Sequence, residues 1–192
     1  MEELIIASNN AHKIKEIKAI LGNFFPRIVS MREAGLDIEI EETGSTFKEN
    51  ALIKARTVSE ITGKPCLADD SGLSVDCLFG APGVYSARFA GEGHNDEDNI
   101  RKLLKEMANA DDRRAHFNTT ICLYYPSGSY LIAEGKAYGR ILTEKRGENG
   151  FGYDPVFFSD ELNKTFAEAG EQEKNSVSHR AKALLNLENM LK

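Results

Sequence analysis

The order of predicted strands and helices constrains the fold of this 192-residue chain more than any other feature. An apolar run at residues 4–7 predicts a short buried strand, and the polar residues that follow it supply caps for a helix. Apolar residues then recur at helical spacing from Ile14 to Leu21, and Gly22 ends the helix. A strand that leads directly into an amphipathic helix is typical of α/β proteins.

A second helix and strand follow the same alternation. Thr46 and Glu49 form the T-x-x-E pattern of a capping box, which predicts the start of a helix. Its apolar residues are predicted to face inward at Leu52, Ala55, Val58 and Ile61. Gly63 ends this helix, and residues 66–68 predict another buried strand.

The second half of the chain changes from alternation to a hairpin. Asn95 and the acids after it cap a third helix, and residues 115–125 and 130–138 are β-rich stretches joined by a Pro-Ser-Gly-Ser turn. A short strand at 155–158 and one closing helix complete the pattern. We therefore expect a mixed sheet flanked by helices rather than an all-parallel sheet, and no linker or repeat divides the single domain predicted over residues 1–192.

Composition narrows the classes of partner. The net charge of -6 argues against binding a nucleic-acid polymer, because such binding depends on basic surfaces that displace counterions. The apolar run at residues 4–7 is far shorter than the ~20 residues that span a bilayer, so we expect a cytoplasmic protein without membrane contact. A small anionic ligand remains compatible with the charge if lysines gather locally.

The acidic pair Asp69-Asp70, in the segment Asp-Asp-Ser-Gly, is the strongest candidate for chemistry. We expect it at the C-terminal end of the strand at 66–68, where open α/β sheets place their ligand crevice. Adjacent side chains of an extended segment point to opposite sides, so one carboxylate would enter the site and the other would support it. Mg²⁺ would need further oxygen ligands, for which Glu41-Glu42 is a remote source. A plain Asx-type turn is the alternative.

Three other groups of residues could bind an anion or a base. Ser8-Asn9-Asn10 and Lys13 suit an anion cradle at a strand-to-helix junction, or simply a capped helix with a solvated lysine. The segment from Phe151 to Asp154 suits stacking on a base, or a packed turn with aromatic anchors. Around the last helix, Lys174, His179 and Arg180 suit a phosphate or a carbonyl-bearing base.

Six segments, taken in order, resemble the Ham1 family of inosine/xanthosine triphosphate pyrophosphatases. They span nearly the whole chain and begin at Ser8, Glu42, Leu67, Gly80, Gly150 and Lys174. The segments read S-N-N-x-x-K, E-T-G-x-T-F-x-E-N-A-x-x-K-A, L-A-D-D-S-G-L, G-x-P-G-V-Y-S-A-R-F, G-F-G-Y-D-P and K-N-x-x-S-H-R. The order of the six segments makes the resemblance far more specific than any one of them.

The resemblance implies the elongated two-lobed α/β fold of the Maf/Ham1 type, with a central substrate cleft, in a homodimer. It also implies Mg²⁺-dependent hydrolysis of a deaminated purine nucleoside triphosphate, such as ITP, dITP or XTP, to the monophosphate and pyrophosphate.

By motif position, the resemblance also implies a role for each site residue. Asp70 would accept a proton from water, Glu41 and Asp70 would bind the metal, and Asp69 would support them. Residues that would hold the triphosphate are Ser8, Asn9, Asn10, Ala11, His12, Lys13 and Lys54, with Ser71 nearby. Residues that would form the nucleoside pocket are Phe151, Gly152, Tyr153, Asp154, Lys174, His179 and Arg180. Phe151 would stack on the purine, and His179 and Arg180 would read its 6-oxo edge.

Three other functions remain open. A Maf-like pyrophosphatase acting on pyrimidine or modified nucleotides would share the fold. A haloacid dehalogenase-type phosphatase also places an aspartate after a strand, but Asp70-Ser71-Gly72 lacks the second aspartate of its D-x-D motif. A noncatalytic nucleotide sensor would bind the same ligand without cleaving it.

Overall fold

The computed structural model describes residues 3–93 and 95–192, and the side chain of His12 is not among the described parts. The strands are β1 (Leu4–Ile6), β2 (Ile28–Ser30), β3 (Cys66–Val75), β4 (Arg114–Tyr124), β5 (Tyr130–Ile141), β6 (Phe157–Ser159) and β7 (Lys164–Thr165). The α-helices are α1 (Ala11–Leu21), α2 (Phe47–Thr62), α3 (Asp96–Glu106), α4 (Glu171–Val177) and α5 (His179–Leu191). Two 3₁₀ helices cover Asp76–Leu78 and Gly83–Arg88.

The strands form one seven-stranded sheet in the order β2-β1-β3-β4-β5-β6-β7. Strand β1 pairs in parallel with β2 and β3, whereas β5 and β6, and β6 and β7, pair antiparallel. The predicted mixed α/β sheet is therefore confirmed. Strands β2 and β7 were not predicted, because runs of three and two residues show no periodicity of their own.

Local capping signals predicted the helix boundaries well. The Thr46 hydroxyl accepts from the Glu49 amide, the Glu49 carboxylate accepts from the Thr46 amide, and Gly63 ends α2 in the left-handed region at φ 65°. The predicted inward position of Ile61 is wrong, since its side chain is 56% exposed. The predicted closing helix through Ala181, Leu184, Leu185 and Leu191 is confirmed as α5. The short helix α4 before it was not predicted, and the extended residue Ser178 separates the two.

The largest correction concerns Asp69-Asp70. We expected the pair to follow a strand of three residues, but β3 continues to Val75 and carries both carboxylates in its middle. The Asx-turn alternative is therefore wrong as well. The alternating pleat of an extended chain sends the two neighbouring side chains to opposite sides of the sheet, as expected.

The chain divides into two compact units. Unit 1 comprises residues up to Asp70, Thr119–Gly135 and Arg180–Lys192, and unit 2 comprises Ser71–Asn118 and Lys136–His179. In unit 1 the strands are buried on both faces. One face packs against α1 and α5, with Leu67 and Ile121 meeting Ile17 and Leu187, and the other packs against α2. Burial of both faces explains why β1 is wholly apolar.

Unit 2 has a core rich in aromatic side chains. Phe117 lies 4.7 Å from Phe157 and 5.9 Å from Phe166 between ring centroids, and Leu103 of α3 joins the same core. Unit 2 carries seven of the predicted site residues, namely Ser71, Phe151, Gly152, Tyr153, Asp154, Lys174 and His179. The central cleft and the single-domain organisation stay predictions. Within the described residues, no helix is long and apolar enough to cross a membrane.

Candidate active site

Asp69 lies at the centre of a buried group of charges in unit 1, which we call the Asp69 cluster (Lys13, Glu16, Asp69 and Arg180). Asp69 Oδ2 lies 3.0 Å from Lys13 Nζ and 3.1 Å from Arg180 Nε. Arg180 Nη1 also donates to Glu16 Oε2 at 2.9 Å. The Asp69 and Arg180 side chains are only 1% and 3% exposed, so each charge is neutralised inside the protein rather than by water.

The electrostatics of the Asp69 cluster favour a permanently ionised carboxylate. Burial alone would raise the pKa of Asp69, but the charges of Lys13, Arg180 and Lys54 outweigh it and hold that pKa well below its usual range. Asp69 is therefore a poor proton acceptor. Its contacts instead fix the positions of two cations, and its supporting role in the reaction stays a prediction.

Asp70 belongs to a different group, the Asp70 cluster (Glu42, Asn50, Lys54 and Asp70). Lys54 Nζ lies 2.6 Å from Glu42 Oε1 and 3.3 Å from Asp70 Oδ1, and it donates to the Asp69 carbonyl at 2.9 Å. Asn50 Nδ2 donates to Asp70 Oδ2 at 3.2 Å. Burial raises the pKa of Asp70 and the charge of Glu42 adds to this, while Lys54 only partly opposes the shift. Asp70 is thus the more basic of the two neighbouring aspartates.

The Asp70 cluster fits part of a Mg²⁺ site. The Lys54 ammonium shows that a positive charge is accommodated between the carboxylates of Glu42 and Asp70. Across residues 3–93 and 95–192, no group of three or more His, Cys, Asp or Glu side chains forms a metal centre. Two carboxylates would leave coordination positions for water and phosphate oxygens, as is usual for Mg²⁺ beside nucleotides.

The structure brings Glu42, rather than Glu41, into this cluster. Glu41 is exposed, whereas Glu42 is half-buried on Lys54. The backbone between Glu42 and the start of α2 is held by Asn50, whose Oδ1 accepts from the Gly44 amide at 2.8 Å. A Cβ at Gly44 would lie 2.6 Å from that oxygen, so only glycine permits the approach. The metal-binding role of Glu41 stays a prediction.

The residues predicted to cradle the phosphates lie where β1 meets α1. Asn10 Oδ1 accepts from the Lys13 amide at 3.2 Å, Ser8 Oγ accepts from the Asn10 amide at 3.1 Å, and Asn9 Oδ1 accepts from the Arg32 amide at 3.2 Å. Ser8 and Asn10 therefore shape the start of the helix, as the capped-helix alternative requires, whereas Asn9 holds the backbone just after β2. Ala11 is the first residue of α1, and the predicted role of the His12 side chain lies outside the described residues. Their phosphate-binding role stays a prediction.

In unit 2 the predicted base-binding residues form a turn, residues 150–154, which we call the Phe151 turn. The Phe151 amide donates to Asp154 Oδ2 at 2.9 Å, and Lys174 Nζ donates to the same oxygen at 2.6 Å. Lys174 Nζ also lies 4.7 Å from the centroid of the Phe151 ring, in cation–π geometry. Phe151 is 37% exposed as a residue, so it is accessible to a ligand while Lys174 lies over its ring.

Two other predicted pocket residues are anchored within unit 2. Tyr153 is buried, and its hydroxyl donates to the Ser86 carbonyl at 2.7 Å, which makes it an anchor of the turn. The imidazole of His179 stacks on Phe117 with ring centroids 4.8 Å apart and an interplanar angle of 13°. Ser71 is half-buried on β3, directly after Asp70. Their roles in substrate binding stay predictions.

Arg180 is placed differently from its expected role. Its guanidinium is buried against Asp69 and Glu16 in unit 1, while its neighbour His179 belongs to unit 2. The structure therefore brings Arg180 together with Lys13 and Asp69. Reading of the 6-oxo edge by Arg180 rests on the resemblance alone.

The sequence of the chain matches one known protein family along nearly its whole length. The sequence profile of the Ham1 family matches residues 4–190. The chain belongs to the Ham1 family. Among curated Ham1-type relatives, a dITP/XTP pyrophosphatase of Clostridium perfringens is 50% identical over 200 residues, covering 100% of this chain and 98% of the relative. A dITP/XTP pyrophosphatase of Bacillus licheniformis is 50% identical over 193 residues, with the same coverage of both chains.

Solved structures of Ham1 proteins show the same fold. The Ham1 protein of Staphylococcus aureus matches with a TM-score of 0.92 at 43% identity, covering 99% of this chain and 98% of that one. The HAM1 protein of Coxiella burnetii gives a TM-score of 0.92 at 43% identity, covering 100% and 98%. A nucleoside-triphosphatase, or dITP/XTP pyrophosphatase, of Mycobacterium abscessus gives 0.81 at 40% identity, covering 96% and 98%.

Sequence reasoning missed one residue of the Asp69 cluster, Glu16, and one of the Asp70 cluster, Asn50. Glu16 follows Lys13 by three positions, the spacing at which helical side chains share a face. Asn50 lies in the sequence segment that begins at Glu42 and is only 1% exposed. Its side-chain oxygen accepts one hydrogen bond and its side-chain nitrogen donates another. A buried polar residue on the apolar side of α2 is the kind of signal that indicates a specific partner.

Proposed function

We propose that this protein hydrolyses deaminated purine nucleoside triphosphates, namely dITP, XTP and ITP, to the nucleoside monophosphate and pyrophosphate with Mg²⁺. The reaction class is supported by Ham1-family relatives that are named dITP/XTP pyrophosphatases and are 50% identical over the full chain. The observation that carries the proposal is the different surroundings of the two adjacent aspartates. Asp69 is buried against Lys13 and Arg180, whereas Asp70 lies beside Lys54 and Asn50. The pKa of Asp69 is lowered and that of Asp70 is raised accordingly, a divergence typical of acid–base sites.

Asp70 is the proton acceptor in this proposal. A water oxygen attacks the α-phosphorus, its proton passes to the Asp70 carboxylate, and the bond from the α-phosphorus to the bridging oxygen breaks, so pyrophosphate leaves with that oxygen. A raised pKa makes Asp70 a stronger base than an ordinary aspartate. Bound Mg²⁺ would supply charge neutralisation on the phosphate oxygens. Lys13 and Lys54 would bind those oxygens in addition to their present carboxylate partners.

The Phe151 turn would bind the base. An exposed aromatic face stacks on any purine. Buried hydrogen-bond donors select among purines, because a base that leaves a donor unpaired binds more weakly. A site that donates to the 6-oxo group would therefore reject ATP, whose amino group cannot accept. In unit 2, His179 and Lys174 carry side-chain donors that would serve this selection.

A pyrophosphate-release panel tests the proposal. Purified protein is assayed with Mg²⁺ against dITP, XTP, ITP, ATP, dTTP and UTP, alongside Asp70→Asn. We expect the deaminated purines to be preferred, and the variant to lose a factor of about 10²–10⁴ in turnover while staying folded. Preference for dTTP or UTP would favour the Maf-like alternative, and binding of ITP without release would favour a sensor. Wild-type turnover in a monodisperse Asp70→Asn sample would refute the assignment.

The choice of metal carboxylate has its own test. Because Glu42 lies on Lys54 beside Asp70 and Glu41 is exposed, we propose Glu42 as the second metal ligand. Glu42→Gln should raise the Mg²⁺ concentration needed for half-maximal activity by about tenfold, and the matched neighbour Glu41→Gln should change it less than twofold. The reverse order would return the role to Glu41. A homodimeric assembly stays a prediction from the resemblance, and a cytoplasmic location stays a prediction from the sequence.

A further inference from the structure

The Phe151 turn is attached to the first turn of α3 by one long-range contact. The amide of Gly152 donates to Asp96 Oδ2 at 2.7 Å, although the two residues are 56 positions apart in the sequence. Asp96 is the first residue of α3, whose start is fixed by the Asn95 side chain accepting from the Asp98 amide. The acceptor for Gly152 therefore sits at the capped start of a helix.

The contact completes the fixation of the backbone around Phe151. The amide of Phe151 itself donates to Asp154, and the next amide along the chain, that of Gly152, donates to Asp96. Both peptide groups that flank the Phe151 side chain are thus held by carboxylates. Gly152 adopts φ 59°, a conformation that glycine enters and leaves easily, so the contact with Asp96 restricts an otherwise mobile peptide.

We propose that Asp96 is a positioning residue for the Phe151 ring, an inference that rests on the proposed function because it assumes that this ring stacks on the base. Hydrogen bonds to an ionised acceptor are roughly twice as strong as neutral ones. With that acceptor in place, the turn holds one orientation of the ring above Lys174 before a ligand arrives. Preorganisation of this kind lowers the entropy lost on binding.

A general effect on α3 is the competing explanation, and the chain offers a matched control for it. Asp96 and Asp98 both lie in the first turn of α3, where acids stabilise the helix dipole. Asp98 pairs with Arg101 on the surface at 2.9 Å and has no contact with the turn among those described. Asp98→Ala removes a first-turn acid without removing the acceptor for Gly152, so it separates the two explanations.

Steady-state kinetics with dITP and Mg²⁺ provide the first readout. Asp96→Ala should raise KM about fivefold to tenfold with kcat within twofold of wild type, because base contacts contribute equally to ground and transition states. Asp96→Asn keeps an acceptor oxygen and should stay within threefold of the wild-type KM, and Asp98→Ala should stay within twofold. An unchanged KM in Asp96→Ala, an equal rise in Asp98→Ala, or an Asp96→Asn as impaired as Asp96→Ala would overturn the proposal.

Hydrogen exchange of the Gly152 amide in the ligand-free protein gives a second readout that does not depend on activity. We expect Asp96→Ala to accelerate exchange at Gly152 by at least tenfold relative to wild type and to Asp98→Ala. Equal exchange in all three proteins would overturn the proposed tether. If wild type released no pyrophosphate from any nucleotide while Gly152 still responded to Asp96, the tether would stand and the proposed function would fall.

Discussion

Replacing Asp69 with asparagine removes the carboxylate that neutralises two cations inside unit 1. Arg180 would keep Glu16 as a partner at 2.9 Å, but its Nε would lose the ionised acceptor at 3.1 Å. Lys13 would lose its carboxylate at 3.0 Å, although its side chain is 20% exposed and water can reach it. The substitution therefore leaves the buried Arg180 with one carboxylate partner instead of two, and it leaves Lys13 partly hydrated without its carboxylate.

The expected loss of stability follows from this arrangement. Breaking a buried ion pair by removing one partner costs about 3–5 kcal/mol, and the remaining Glu16 places Asp69→Asn at the lower end, about 3 kcal/mol. Asp70→Asn is the matched control, because burial and Glu42 raise the pKa of Asp70 and the folded state disfavours its charge. Lys54 would still have Glu42 and the Asp69 carbonyl, so we expect a change within about 1 kcal/mol.

The two aspartates should also differ in their pH dependence. The folded-state pKa of Asp69 is depressed, so its contribution is fully present above the unfolded value of about 3.9 and is lost as pH falls through the folded pKa. The stability difference between wild type and Asp69→Asn should therefore be largest near neutral pH and shrink below about pH 4. Asp70, with its pKa raised, favours the folded state only in its protonated form.

Urea denaturation measures both effects. The chain has six tyrosines and no tryptophan, so tyrosine fluorescence and far-UV circular dichroism are the suitable probes, and their coincidence tests for a two-state transition. With an m-value of about 2 kcal/mol/M, Asp69→Asn should lower the midpoint by about 1.5 M. A loss below about 1 kcal/mol, or equal midpoints for Asp69→Asn and Asp70→Asn, would refute the reasoning from buried charge.

Two further predictions concern unit 2. Lys174→Met leaves the Asp154 carboxylate, whose side chain is 3% exposed, without its cation. The free energy of unfolding in urea should fall by about 3 kcal/mol. A loss within about 1 kcal/mol would mean that another group neutralises Asp154. Gly147 and Gly128 both have positive φ, but a Cβ at Gly147 would lie 2.3 Å from the Ala167 backbone. Gly147→Ala should therefore cost at least twice the roughly 1 kcal/mol of Gly128→Ala, and equal costs would show that φ alone decides.

The predictions from sequence succeeded where the signal was local. The capping box at Thr46, the left-handed glycine at Gly63 and the Asn95 cap depend on residues three or four positions apart, and the structure has all three. They failed where packing overrides local pattern. Ile61 has the spacing of an inward residue but is 56% exposed, whereas the buried face of α2 includes the polar residues Asn50 and Ser59. The spacing of apolar residues cannot predict the buried face of a helix correctly when polar residues form part of that face.

The sequence by itself determined the fold class, the Ham1 family and the identity of nearly every charged residue in the two clusters. These depend on periodicity, caps and ordered motifs, which are properties of short windows. Only the tertiary structure decided that Asp69 faces Arg180 across 111 positions while Asp70 faces Lys54 and Glu42. Two adjacent and identical side chains differ in pKa because burial and distant charges surround them differently, and no local pattern encodes those partners.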